Sequence, residues 1–144
     1  MNAEKCLEIV RDVYKINSFV KLCDIKIDAV KCGEATLSMK IDPAKHTNLY
    51  GHVHGGALEA LADTAIGVVS ATVSARVVTL NFNMSFIKNI QAGDTATCIA
   101  TIKHLGRTTI VIDVDMFNNK QELMCRTMAT MFIIGHFDEI PEKW

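Results

Sequence analysis

At 144 residues and a formal net charge of −1, the chain reads as one domain with a single core, and it has no basic stretch to mark a nucleic-acid partner. Hydrophobic residues make up 49% and aromatic ones only 6%, so Ile, Val, Leu, Ala and Met must build that core. The first twenty residues are charged throughout, with no apolar run before a cleavage site, and the five cysteines (6, 23, 32, 98, 125) lack CxxC spacing; we expect no signal peptide and unpaired thiols in a reducing cytoplasm.

Residues 2–17 place Cys6, Leu7, Ile9, Val10, Val13 and Tyr14 at three- and four-residue spacings, which predicts an amphipathic N-terminal helix that Asn17-Ser18 ends. From Phe19 to Lys31 the pattern turns to strand. Ala35, Leu37, Met39 and Ile41 then alternate with polar residues, the mark of a half-buried strand that Pro43 terminates. Residues 55–72 form a long helix that is apolar or small on every side; its charges, Glu59 and Asp63, argue for a buried core helix and against a membrane span. After Ser74, alternation returns: Val78, Leu80, Phe82, Met84 and Phe86 face one way, Thr79, Asn81, Asn83 and Ser85 the other. Gly93-Asp94, Leu105-Gly106-Arg107 and Asn118-Asn119-Lys120 are turns separating strands at 95–104, 108–117 and 121–134. Short turns imply antiparallel neighbours. The class is α+β, a sheet wrapped around one central helix, with residues 135–144 as a surface tail.

Between the second strand and the long helix lies Asn48-Leu-Tyr-Gly-His-Val-His54-Gly55-Gly56, followed nine residues after His54 by Asp63. The glycine pair falls where backbone N–H groups have no intrahelical partner, and a helix start favours developing negative charge. Asp63 admits two readings: a carboxylate facing water or a basic neighbour, or a general base or nucleophile of raised basicity. Glu59, one turn earlier, is the competing carboxylate. Asn48 either ties a turn or holds a water or carbonyl; His54 either caps the helix or donates to a carbonyl beside the Gly55 N–H. Nine residues on a helix put Asp63 half a turn round from His54 and about 13 Å further along. One chain cannot bring both to one atom, but two antiparallel helices can. A catalytic Asp63 therefore implies a symmetric dimer with two shared sites. His46, His52 and His54 raise a metal site, yet their spacing matches no common zinc pattern and no metal is expected. Cys98 and Cys125 sit mid-strand, and Ser70 and Ser85 lack a nucleophile-elbow context.

The loop Asn48-x-x-Gly51-x-x-His54-Gly55-Gly56 with Leu61-Ala62-Asp63, the strand from Thr79 to Phe86 and the turn Leu105-Gly106-Arg107-Thr108 resemble the hotdog-fold acyl-CoA thioesterases, most nearly their phenylacetate-pathway and thioesterase-superfamily-member-2 branch. The resemblance spans residues 20–134 and implies a hotdog core over 19–134, with the N-terminal helix at 2–17 as an addition. It implies a homodimer, paired again into a homotetramer, that hydrolyses acyl-CoA without metal or organic cofactor. By the matching positions, Asp63 activates water or attacks directly. Asn48 and His54 orient water and thioester, the Gly55 N–H polarises the carbonyl, and Thr79 helps place the water. Gly56, Lys88, Arg107 and Thr108 are candidates for binding substrate, the basic ones (with Lys103) for the coenzyme A phosphates. Met84 and Phe86 are expected in the acyl pocket. The short link Ala71–Val77 departs from the family and alters that pocket's rim.

Two rival functions share this fold. One is a non-catalytic acyl-CoA sensor or binding protein; the repressors of that type carry an N-terminal helix-turn-helix, for which about 18 residues before the first strand are too few. A dehydratase or hydratase needs a base beside the carbonyl and an acid for the hydroxyl, roles open to Asp63 and His54, but the glycine-pair loop favours the hydrolase.

Overall fold

Asn2 opens the first helix by accepting the Lys5 N–H on its side chain at 2.8 Å, capping α1 (Ala3–Tyr14) in a computed structural model that describes residues 1–144. The periodic stripe docks as expected: Cys6 and Val10 are fully buried. Arg11 fixes the helix further, donating from Nε and Nη2 to the Ile27 carbonyl at 3.0 and 2.8 Å. Phe19 does not start a strand. Asn17 accepts the Val20 N–H at 3.1 Å and caps a second short helix, α2 (Ser18–Leu22), so local capping overrides the β-propensity of Phe19 and Val20. Asp24, at φ 57°, turns the chain into β1 (Lys26–Lys31), which pairs antiparallel with β2 (Glu34–Lys40).

The long helix α3 spans Gly55–Ala71, with eleven of its residues buried. No polar face is needed because Thr64 and Ser70 return their hydroxyls to the Ala60 and Ile66 carbonyls at 2.7 and 2.8 Å. Four further strands follow: β3 (Ala75–Phe86), β4 (Thr95–Leu105), β5 (Thr109–Phe117) and β6 (Leu123–His136). They complete one antiparallel sheet in the order β1-β2-β4-β5-β6-β3. Alternation delivers the core directly: Leu37 and Met39 from β2, Cys98 and Ala100 from β4, Ile110, Ile112 and Val114 from β5 pack against α3.

Three expectations are corrected. The turn at Gly93-Asp94 does not make β3 and β4 neighbours. Instead β4 pairs with β2, and β3 crosses to the far edge beside β6. The apolar residues of β3 do not share one face either. A register shift between Thr79 and Asn81 inserts an extra residue, Leu80, so Val77 and Thr79 face the helix on one side of it and Phe82, Met84 and Phe86 on the other. Opposite them stand the buried β6 residues Met131, Ala129, Thr127 and Cys125. Leu80 is left 60% exposed on the open edge. Finally, residues 137–144 are not a surface tail. Ile140 is buried, the Phe137 ring lies under the Arg76 guanidinium at 4.8 Å, and the Trp144 indole donates to the Thr72 carbonyl at 2.8 Å, so apolar side chains draw the segment over the C-terminal end of α3.

Candidate active site

The loop before α3 is held by bonds among its own residues. Asn48 accepts the Tyr50 and His52 N–H groups on Oδ1 at 2.9 and 3.1 Å, and its backbone N–H donates to the His52 carbonyl at 2.7 Å. The turn-stabilising reading of Asn48 is thus met by its oxygen. Its NH₂ remains as a donor. Gly51 takes φ 76°, which suits glycine, and a bridge between Thr47 and Val53 closes the loop. His46, raised as a metal ligand, is buried with both ring nitrogens engaged: Nδ1 accepts from the Asp42 N–H and Nε2 donates to the Cys23 carbonyl, each at 2.9 Å. It pins the loop to the end of α2 and cannot join His52 and His54 around an ion.

His54 is the N-cap of α3. Its Nδ1 accepts the Gly56 N–H at 2.9 Å, which places the proton of the neutral ring on Nε2 and turns that nitrogen outward as a donor. The Ala57 and Leu58 N–H groups reach the His54 carbonyl. Of the first-turn donors, the Gly55 N–H is the one left without a partner, at the positive end of the helix. Both glycines are closely approached: a Cβ at Gly55 would sit 3.2 Å from the Phe86 ring and one at Gly56 3.1 Å from His54 Nδ1, so either ring would have to give by a few tenths of an ångström.

Asp63 lies two and a half turns further on, exposed, with Thr79 donating to its Oδ1 at 3.0 Å. The bulge at Leu80 makes this contact, by turning Thr79 toward α3. Asp63 borders a cleft of about 250 Å³ between α1–α2, α3 and β3. Glu59 is exposed and does not line it. Met84 and Phe86, expected around the acyl group, do not line this cleft; Phe86 lies against Gly55 at the start of α3. A neighbour that the sequence did not single out for chemistry is Tyr14, whose phenol enters the cleft; burial and the Asp63 carboxylate push it up to about 12, so it stays protonated.

The basic candidates are far apart. Lys88 follows β3 near the start of α3 and pairs with Glu122 at 3.3 Å. Arg107 and Thr108 are exposed in the β4–β5 turn at the opposite end of β3, where the Thr108 carbonyl accepts from the Ile133 N–H. All five cysteines are free, and burial raises the thiols of Cys6 and Cys125 to about 11 and that of Cys98 to about 12, in keeping with core packing. No helix is long and apolar enough to cross a membrane.

Within one chain the structure therefore brings together two groups and keeps them apart: Asn48, His54, Gly55 and Gly56 at the helix start, Asp63 and Thr79 at its middle. Known proteins share this frame. A profile of the thioesterase superfamily matches residues 50–125, more than half the chain. The acyl-coenzyme A thioesterase PaaI of Escherichia coli is 28% identical over 92% of this chain and 94% of its own length. The structure of the E. coli PaaI protein from the phenylacetic acid degradation operon superposes with a TM-score of 0.88 at 26% identity, covering 94% of this chain and 98% of that one. A hypothetical thioesterase from Streptococcus pneumoniae, solved with coenzyme A, is 31% identical with a TM-score of 0.75, over 78% of this chain and 90% of its own.

Proposed function

The chain belongs to the thioesterase superfamily, and on that premise we propose that it hydrolyses acyl-CoA thioesters to coenzyme A and a carboxylic acid, in sites shared between two copies of the chain. The observation that carries this is the separation just described. A carboxylate oriented by Thr79 and an unpaired N–H at a helix start are the two halves of an acyl-transfer site, and about 13 Å of helix divides them. A twofold axis that sets two α3 helices antiparallel brings Asp63 of one protomer to Gly55 of the partner subunit.

In that arrangement Asp63 takes a proton from water as the oxygen attacks the thioester carbon. The carbonyl oxygen gains the negative charge and is met by the Gly55 N–H of the partner subunit at the positive helix end, with the Nε2–H of its His54 and the amide of its Asn48 orienting thioester and water. Collapse of the tetrahedral species breaks the carbon–sulfur bond, and the proton held by Asp63 goes to the departing thiolate. Direct attack by Asp63 gives a mixed anhydride that water then cleaves, with the same groups and the same products. These side chains supply every group the steps call on, so no metal or organic cofactor enters.

The open edge of β3 supports the dimer: twelve residues long, free on one side, with Leu80 and Val78 exposed. The outer face of the sheet, where Val78, Met128, Phe132 and Ile134 are exposed, supports a pairing of dimers into a tetramer. Arg107 and Lys88 lie at opposite ends of β3 in one chain, which supports their meeting the coenzyme A phosphates from different protomers. The free thiols fit a cytoplasmic setting. The test is release of free coenzyme A from acyl-CoAs. The wild type releases it, and Asp63→Ala loses about 100-fold or more in kcat while keeping the wild-type assembly by light scattering. Unchanged turnover in that variant removes Asp63 from the mechanism.

A further inference from the structure

The cleft beside Asp63 has a floor with a regular spacing. Ala60, Asp63, Thr64 and Gly67 lie at intervals of three and four along α3, so one helical stripe of small residues runs away from the carboxylate. One turn past Asp63 the stripe meets Tyr14. The phenol hydroxyl lies so close over Gly67 that a Cβ there would come within 2.5 Å of it, and the next atom of the ring would be 3.7 Å away. Tyr14 is not a loose side chain: α1 is anchored by the buried Cys6 and Val10 and by the Arg11 fork on Ile27.

We propose that Tyr14, seated on Gly67, is the end wall of the acyl pocket and determines the length of acyl group the enzyme accepts. This rests on the hydrolase reading above. Four residues of helix rise about 6 Å, so an acyl chain running along the stripe from Asp63 reaches the phenol within that distance. In one chain the cleft measures about 250 Å³. The short run from Asp63 to the phenol points to compact acyl groups, short chains or a single ring. The N-terminal helix thus closes one side of the cleft, opposite β3.

The experiment is a ladder of straight-chain acyl-CoAs from acetyl to decanoyl, read as kcat/KM for wild type, Tyr14→Ala, Tyr14→Phe and Gly67→Ala. In the wild type, kcat/KM falls about tenfold or more per added methylene once the wall is met. Tyr14→Ala moves that cut-off to longer chains, raising the long-to-short selectivity ratio at least about tenfold, chiefly through KM. Tyr14→Phe leaves the cut-off in place, and Gly67→Ala, whose Cβ must displace the phenol, moves it away from the wild-type length. If Tyr14→Ala scales every acyl-CoA by one factor, Tyr14 is only structural and the proposal is overturned. Affinities of the matching S-alkyl-CoA thioethers, measured by calorimetry on the same variants, separate the two readings. A cut-off in affinity that moves with Tyr14 while no thioester is hydrolysed keeps the wall and sinks the hydrolase; hydrolysis with an affinity cut-off that ignores Tyr14 sinks the wall and keeps the hydrolase.

Discussion

Before α3, residues 42–56 are tied by short-range hydrogen bonds that leave the Gly55 N–H free; at the middle of the helix, Asp63 is held by the single hydroxyl of Thr79, sixteen residues away and across to another element. The first region is complete in one chain. In the proposed mechanism its donors need little reorganisation at the moment of reaction. The second is open, beside a strand with an unpaired edge, and is finished by whatever covers it. An acid needs a shielded setting to act on a water, whereas a helix tip needs only its own geometry. On the shared-site proposal, this contrast accounts for where the site divides.

Perturbing each region should then leave a different signature. Asp63→Ala should cause the largest loss of turnover, about 100-fold or more, with the melting temperature unchanged or raised, because no fold-holding contact is lost beyond the Thr79 bond. His54→Ala should lose about 100-fold in kcat and, unlike Asp63→Ala, also about 1 kcal/mol of stability, since the Gly56 N–H loses its cap; activity and calorimetry together check this pair of effects. Equal stability losses in the two variants would erase the distinction between the regions. Thr79→Val should cost less, about five- to tenfold in kcat, the worth of one hydrogen bond that orients the carboxylate. A last effect concerns neither region and leaves turnover at neutral pH untouched. The thiols of Cys6, Cys98 and Cys125 are raised to about 11, 12 and 11 by burial, so above pH 9 the unfolded chain sheds protons that the folded chain retains. Stability should fall as pH rises from about 9 through 11–12, measured by urea unfolding, and replacing Cys98 with Ala should flatten the slope.

What could be read from the sequence follows the same division. The loop and α3 were legible because their signals are local: the His-Gly-Gly cap and the all-apolar periodicity both act within a few residues. The strands from 95 to 134 were legible by alternation for the same reason. Misreadings arose where distant partners decide. Nothing in residues 75–94 shows that β3 leaves β4 for the edge beside β6, and the bulge at Leu80 is invisible to a count of two because the extra residue is accommodated by β6. Phe19 and Val20 look like strand until Asn17 caps them. The tail looked superficial because its anchor, the Thr72 carbonyl that accepts from Trp144, is 72 residues away. Tyr14 could be seen only as one apolar position in a helical stripe; its place above Gly67 is a fact of tertiary packing.

The central claim is that each site takes its acid from one chain and its helix tip from another, and co-expression of two inactive variants tests it most directly. Asp63→Ala and His54→Ala chains, carrying different tags, should each be nearly dead alone. Random pairing makes half of the dimers mixed, and each mixed dimer holds one intact site of two, so the account predicts recovery to about a quarter of wild-type activity, concentrated in the doubly tagged fraction. A doubly tagged dimer no more active than its parents would show that the acid and the helix tip serve within one chain, and the shared-site account would be wrong.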